Sequence, residues 1–304
     1  MGTDFISIRD FSKKDIEGLF KKAGAMEKVL KASRRAETLS NRVVATLFFE
    51  PSTRTRLSFQ VAATRLGAKV LDFGLLEATS VAKGETFTDT IRMIDGYADV
   101  LIVRHPLEGS ARLAAQLAIH PVINAGDGGN QHPSQTLIDL YTIKKAKGKI
   151  AGLNVCLLGD LKHSRTMRSL LYGLSLFGAE INLAAPKGLE MDEDVVEEAR
   201  DKFGAKIRKT SEMNLRDADV VYVCRIQKER FVDQYEAAKL QKEFRIDMEH
   251  LGGVKDDMII LHPLPKIDEL DPRIDHTKHA LYFEQARNGI PVRMAILTSA
   301  LGRG

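Results

Sequence analysis

The chain has 304 residues, 44% of them hydrophobic, and 45 Lys plus Arg against 41 Asp plus Glu leave a net charge of +4. That is enough apolar material for two domains with separate cores, which excludes a disordered chain. The longest apolar runs, such as 155–158 and 220–224, are too short to cross a bilayer, so no membrane partner is expected.

The positive charge is spread along the chain without a long basic block, Trp is absent and aromatics make up 6%, a composition unlike that of a nucleic-acid-binding protein. The N-terminus carries Asp4 and no basic residue before Arg9, unlike a signal peptide, and the expected location is the cytoplasm. Cys156 and Cys224 each sit inside an apolar strand-like run, where a thiol behaves as a small buried hydrophobe rather than as part of a disulfide framework or zinc site.

Taken in chain order, Ser12 to Asp15 reads as a capping box that opens a helix to about residue 31, with Ile16, Leu19, Phe20 and Ala23 as its apolar stripe. Strands follow at 43–49, 69–73, 100–103 and 121–124, alternating with helices that start near Ser52, Glu85, Gly109 and Ser134. The charged stretch 144–149 marks a domain boundary. Beyond it, strands at 153–158, 180–184, 206–208, 220–223 and 258–261 form a second alternating series. The last segment, 283–301, has helical spacing but contains Gly289 and Pro291, which predicts a broken or kinked helix. The fold class is α/β: two doubly wound parallel-sheet domains with the active-site cleft between them.

Ligands of open parallel sheets sit at the carboxyl ends of strands, which directs attention to five segments. Ser52-Thr53-Arg54-Thr55-Arg56 follows the first strand, and its hydroxyl and guanidinium groups at a helix start suit a phosphate. Two arginines in a first turn oppose the helix dipole and call for an anion. Arg104 ends the third strand; read alone it is an ion-paired surface residue. In the glycine-rich loop 124–135, Pro133 suits a first helical turn and would hold His132 and Gln135 at the helix mouth, either toward a polar ligand or as a structural turn with a capping histidine.

In the second series, Asp160 to Thr166 opens a helix without G-x-G-x-x-G, so a dinucleotide site is not expected. Arg165 in its first turn suits a carboxylate ligand or an internal ion pair. Arg225 and Gln227 share one face of an extended segment, and the turn His262-Pro263-Leu264-Pro265 has two prolines that leave carbonyls available to an amine. Alone, these two read as a solvated loop and a rigid turn. His276 and His279 lie in a polar stretch without a third ligand and read as a solvated face, and no metal is assigned.

Together, residues 48–56, His132-Pro133-Ser134-Gln135, Arg225-Ile226-Gln227-Lys228-Glu229 and His262-Pro263-Leu264-Pro265 closely resemble the aspartate/ornithine transcarbamylase family, in order and spacing over essentially the whole chain. The aspartate branch is the nearer one. The ornithine branch usually carries His-Cys-Leu-Pro where this chain has His262-Pro263-Leu264-Pro265, and its Ser-Met-Gly loop has no counterpart here. A catalytically idle anion-binding or nucleic-acid-binding module is the alternative from another class.

The resemblance implies transfer of a carbamoyl group from carbamoyl phosphate to L-aspartate in pyrimidine synthesis, with no cofactor. It implies that Ser52, Thr53, Arg54, Thr55 and Arg104 hold the phosphate and that Thr55, Arg104 and His132 surround the carbonyl oxygen. Gln135, Pro263, Leu264 and Pro265 would orient the carbamoyl NH₂, and Arg165, Arg225 and Gln227 would bind aspartate. Lys83 matches the lysine of a mobile loop that reaches a neighbouring subunit's site, implying a homotrimer. Glu50 would pair with Arg165 and Arg230.

The implied domains are 1–146 for carbamoyl phosphate, with a terminal helix at about 287–304 packing back on it, and 147–286 for aspartate. His163-Ser164 stand where some members carry Tyr-Gly, and the loop has one lysine where some have two. Some members bind a separate regulatory chain and others do not, which leaves that partner open.

Overall fold

The computed structural model describes residues 2–32, 36–74, 80–227, 231 and 233–302, without the side chains of 80, 81, 234, 236 and 237. The chain forms two compact units, residues 1–138 with 288–304, and residues 139–287. The change of unit falls inside a helix at 133–147.

The first unit opens with α1 (Lys13–Lys31). Ser12 accepts the Asp15 N–H at 3.2 Å and the Asp15 carboxylate accepts the Ser12 N–H at 2.9 Å, so the cap satisfies two helix-end donors reciprocally. Ile16, Leu19, Phe20 and Ala23 are its buried stripe. Then come β1 (Val43–Phe48), α2 (Thr53–Arg65), β2 (Lys69–Asp72), α3 (Phe87–Asp95), β3 (Val100–His105), α4 (Ser110–Leu117), β4 (Val122–Asp127) and α5 (Pro133–Lys147). The strands pair in parallel in the order β2-β1-β3-β4. Helices following parallel strands cover sheet faces, which is why β4 is buried at every position and β1 and β3 along most of their length. β4 runs further than its apolar residues predict, because Gly126 continues the strand at φ 120.

The second unit contains β5 (Asn154–Gly159), α6 (Arg165–Leu176), β6 (Glu180–Ala184), α7 (Glu193–Phe203), β7 (Lys206–Thr210), β8 (Val220–Cys224), α8 (Gln234–Glu243) and β9 (Ile259–Leu261), again parallel, in the order β7-β6-β5-β8-β9. The fold class is α/β, built on two parallel sheets.

The closing helix, α9 (Tyr282–Ala300), runs through Pro291 unbroken; of the break or kink expected there, the break does not occur. An interior proline costs roughly 3 kcal/mol through a lost hydrogen bond and a clash. Residues 291–298 are buried in succession, and the burial of Val292, Met294, Ile296 and Leu297 offsets that cost.

In both sheets the chain winds outward from a first strand and then crosses to its other side, so order reverses between β1 and β3 and between β5 and β8. Such reversals open a crevice at the carboxyl ends of the two strands. Gly159, opposite Cys224 at the end of β5, makes the second of these possible. It sits at φ +117, and a Cβ there would lie 2.2 Å from the Cys224 carbonyl oxygen. A Gly159→Ala substitution is expected to destabilise the second unit by on the order of 3 kcal/mol through strain and collision. Chemical denaturation followed at the unit's tyrosines would measure this, and an unchanged midpoint would refute it.

At the end of β3, His105 packs against Phe49 and Phe87, with ring centroids 5.1 and 4.8 Å apart, and its Nδ1 accepts the Leu107 N–H at 3.0 Å. Burial, opposed by the Glu50 carboxylate, holds its pKa below the ordinary histidine value. The folded state therefore resists protonation that the unfolded chain accepts. This contribution is complete above the unfolded value of about 6.5 and declines as pH falls toward the lower folded value. Between about pH 7.5 and about pH 5.5, His105→Asn, which keeps an acceptor for Leu107 but cannot titrate, should lose less stability than the parent. Equal pH slopes in urea titrations would contradict the assignment.

Candidate active site

The reversal in the first sheet is edged by the Ser-Thr-Arg-Thr segment and by Arg104. Ser52 enters α2 from extended backbone, φ −159 and ψ 97, and its hydroxyl makes no capping hydrogen bond. No acidic side chain occupies the first turn. The helix mouth therefore keeps its positive end, to which the Arg54 guanidinium is added, its pKa drawn below the ordinary value by partial burial. Thr55 is buried, Ser52 is half-buried, and Thr53 and Arg54 are exposed.

Arg104 pairs in register with Phe48, which brings β3's end beside β1's. Its Nη2 lies 2.7 Å from Glu50 Oε1 and its Nη1 donates to the Ala125 carbonyl at 3.2 Å. One side chain thus ties the ends of β1, β3 and β4. Strand pairing delivers Arg104 directly to Glu50; Arg230, expected as a further partner of Glu50, lies outside the described residues. Arg56, counted with Arg54 as evidence for an anion, is accounted for internally by Asp72 at the end of β2, 2.6 Å away.

The loop between β4 and α5 is organised by Asp127, a residue to which sequence reading gave no role. Its buried carboxylate accepts from Asn124 Nδ2 at 2.8 Å, the Gly109 N–H at 2.9 Å, Asn130 Nδ2 at 3.0 Å and the Gln131 N–H at 3.1 Å. This arrangement leads into His132, which is buried and whose carbonyl accepts the Gln135 and Thr136 N–H groups at 3.0 and 3.1 Å. Pro133 starts the helix as expected, leaving the half-buried Gln135 in its first turn. Lys83 is exposed at the end of a 3₁₀ turn, Ser80–Lys83.

In the second unit, Asp160 follows β5 and is fully buried. It accepts the His163 N–H at 3.0 Å and the Gln227 N–H at 3.3 Å, and it lies 3.0 Å from His163 Nδ1. One carboxylate thereby joins the mouth of α6, where Arg165 sits, to the segment after β8 that carries Arg225 and Gln227. All three of those side chains are half-buried. The His163 that departs from some family members is one of Asp160's partners. The signal for both aspartates was present in the sequence, an Asp in a turn just after a strand, where its side chain accepts nearby N–H groups.

β9 lies beside β8 and delivers the turn His262 to Pro265, with Pro263 and Leu264 half-buried and Pro265 exposed. Leu264 adopts φ +57, a left-handed conformation unusual for a branched side chain, and the peptide to Pro265 is cis. His276 and His279 do not form one solvated face. His276 is exposed, whereas His279 is buried with Nδ1 2.7 Å from the Met258 carbonyl, to which it donates.

Residues 3–145 match the family model described as aspartate/ornithine carbamoyltransferase, carbamoyl-P binding domain, and residues 151–300 match its Asp/Orn binding domain. The aspartate carbamoyltransferase catalytic subunit of Thermococcus kodakarensis is 50% identical over 99% of this chain and 97% of its own length, and that of Archaeoglobus fulgidus is 49% identical over 97% and 98%. Among solved structures, the catalytic subunit of M. jannaschii aspartate transcarbamoylase superposes with a TM-score of 0.92 at 45% identity, covering 99% of this chain and 98% of that one. The Trypanosoma cruzi enzyme in complex with carbamoyl phosphate and aspartate also gives 0.92, at 39% identity, covering 98% and 97%. With paired reversal-point sites and matches along nearly its whole length, the chain belongs to the aspartate/ornithine carbamoyltransferase family.

Proposed function

We propose that this protein transfers the carbamoyl group of carbamoyl phosphate to the α-amino group of L-aspartate, giving N-carbamoyl-L-aspartate and phosphate for pyrimidine synthesis. The observation that carries aspartate over ornithine is the pair of guanidinium groups, Arg165 and Arg225, beside the β5–β8 reversal. They match the two carboxylates of aspartate and would repel the cationic tail of ornithine.

The α2 mouth, the hydroxyls of Ser52, Thr53 and Thr55, and Arg54 and Arg104 hold the donor's phosphate. Thr55, Arg104 and His132 face the carbonyl oxygen and stabilise the negative charge that develops when the amine nitrogen attacks the carbon. Gln135 and the carbonyls of Pro263 and Leu264, beside Pro265, take the carbamoyl NH₂. As the intermediate collapses, the bond from carbon to the phosphate oxygen breaks and the departing phosphate accepts the amine proton, so the reaction needs no separate protein base. Arg165, Arg225 and Gln227 hold aspartate, and catalysis comes from positioning and charge complementarity.

The Glu50 pairing gives Arg104 a defined orientation before the donor arrives. We also assign a homotrimer in which Lys83 serves a neighbouring subunit's site. Exposed Lys83 and an exposed apolar strip on α2, with Leu57 at 52% and Val61 at 40%, support an association surface there.

The deciding measurement supplies carbamoyl phosphate with either L-aspartate or L-ornithine and identifies the product. Carbamoyl-aspartate is expected, and citrulline alone would overturn the reading. Arg54→Ala should lower kcat by about a hundredfold to a thousandfold with the fold intact; near-normal turnover would remove Arg54 from the phosphate site. Sedimentation with parallel assays tests the assembly, and full activity in a monomeric fraction would exclude a shared site.

A further inference from the structure

The tripeptide His-Pro-Leu occurs twice, at 105–107 and 262–264, each time where a parallel strand ends. Both copies build the same local turn. His105 Nδ1 accepts the Leu107 N–H at 3.0 Å, and His262 Nδ1 accepts the Leu264 N–H at 2.8 Å. Each bond requires Nδ1 without a proton, which places the proton of the neutral ring on Nε2. From there the copies diverge. The His105 ring rests on Phe49 and Phe87, whereas His262 Nε2 lies 2.8 Å from Glu269 Oε1, both side chains nearly fully buried. Among the described residues no carboxylate is in hydrogen-bonding contact with the His105 ring, which feels Glu50 only as a neighbouring charge, so a buried carboxylate paired with the ring is not a requirement of the turn.

Burying a carboxylate costs several kcal/mol unless its oxygens are engaged. Glu269 is engaged: it accepts the Ile267 N–H at 3.1 Å and the Asp268 N–H at 3.2 Å besides facing His262. Against the upward push of burial, the His262 contact and these backbone groups hold its carboxyl below the ordinary range, so it remains an anion. The approach to Nε2 is bent from the N–H line, making the contact electrostatic more than a straight hydrogen bond. The other side of His262 is fixed as well. Its N–H donates to Gln285 Oε1 at 2.9 Å, Gln285 Nε2 donates to Asp139 Oδ1 at 2.7 Å, and Tyr222 donates to Asp139 Oδ2 at 2.9 Å, all within the second unit and all buried.

The consequence lies in one peptide plane. The Leu264 N–H and the Pro263 carbonyl belong to the same planar trans peptide, so anchoring the N–H on His262 points the carbonyl the opposite way. We propose that Glu269 and His262 form a positioning pair that aims the Pro263 carbonyl, and with it the Leu264 carbonyl, at the NH₂ of the carbamoyl donor, so that the pair sets preference for donors bearing that NH₂. This deepens, and rests on, the carbamoyl-transfer reading.

The test compares binding of carbamoyl phosphate, from its KM, with inhibition by acetyl phosphate, which has a methyl group in place of NH₂. Asn at position 262 offers an oxygen where Nδ1 stands and can still accept from Leu264. Gln reaches toward Glu269 but offers nothing at the Nδ1 position. For His262→Gln the carbamoyl phosphate KM is expected to rise about tenfold, the loss of one oriented hydrogen bond, with acetyl phosphate inhibition changed by less than about twofold. His262→Asn should stay within about threefold of the parent. Glu269→Gln, which lets the ring proton move to Nδ1 and oppose the Leu264 N–H, should shift the same ratio about threefold and supplies the test if His262→Gln does not fold.

Equal weakening of both phosphates, or an unchanged ratio in the folded Gln variants, would overturn the positioning role. A parent enzyme that forms no carbamoyl-aspartate would instead overturn the underlying functional reading. A parent that turns over normally beside an unaffected ratio defeats this inference alone.

Discussion

Backbone N–H groups that leave the end of a parallel strand lose their ladder partners and must find other acceptors if they stay buried. In each unit of this protein one buried aspartate meets that demand where it matters most. Asp127 gathers the loop that ends at His132, and Asp160 gathers the segments carrying Arg165 and Gln227. A carboxylate is suited to this because it offers several acceptor sites and no donor, so it can converge N–H groups from segments distant in sequence. The proposed substrate-contacting side chains are thereby carried on segments tied by hydrogen bonds to a buried carboxylate.

The charge arrangement follows from the same layout. Arginines at the first turns of α2 and α6 oppose the dipoles of those helices, and neither first turn contains an acid to compensate. A bound anion at either mouth would interact favourably with both the guanidinium and the helix end. Arg56, further on in α2, pairs with Asp72 at the end of β2.

Much of this was readable beforehand wherever the determining contacts are local. The capping box of Ser12, the buried stripe Ile16, Leu19, Phe20 and Ala23 on α1, and Pro133 at the start of α5 each depend on residues within a few positions of one another. What escaped depends on partners remote in sequence. Arg104 reads as a surface residue until strand pairing brings it to Glu50, and His279 reads as solvated until the Met258 carbonyl is placed beside it. Pro291 reads as a helix breaker because the packing that overrules it comes from elsewhere in the chain. The strand-end position of nearly every candidate site residue was legible because parallel sheets leave few other places for ligands, whereas Asp127 and Asp160 were visible as residues and invisible as hubs.

The first unit is discontinuous in sequence: residues 288–304 complete it, and the Thr3 N–H donates to the Ala300 carbonyl at 3.0 Å. The second unit, by contrast, is one uninterrupted stretch, 139–287. During synthesis the order of completion is therefore the reverse of the order of translation. The unit that begins first waits for residues 288–304, while the unit made second, 139–287, has all its parts before them. Until the final turns of α9 leave the ribosome, the apolar surface they cover stays open, and the first unit cannot close.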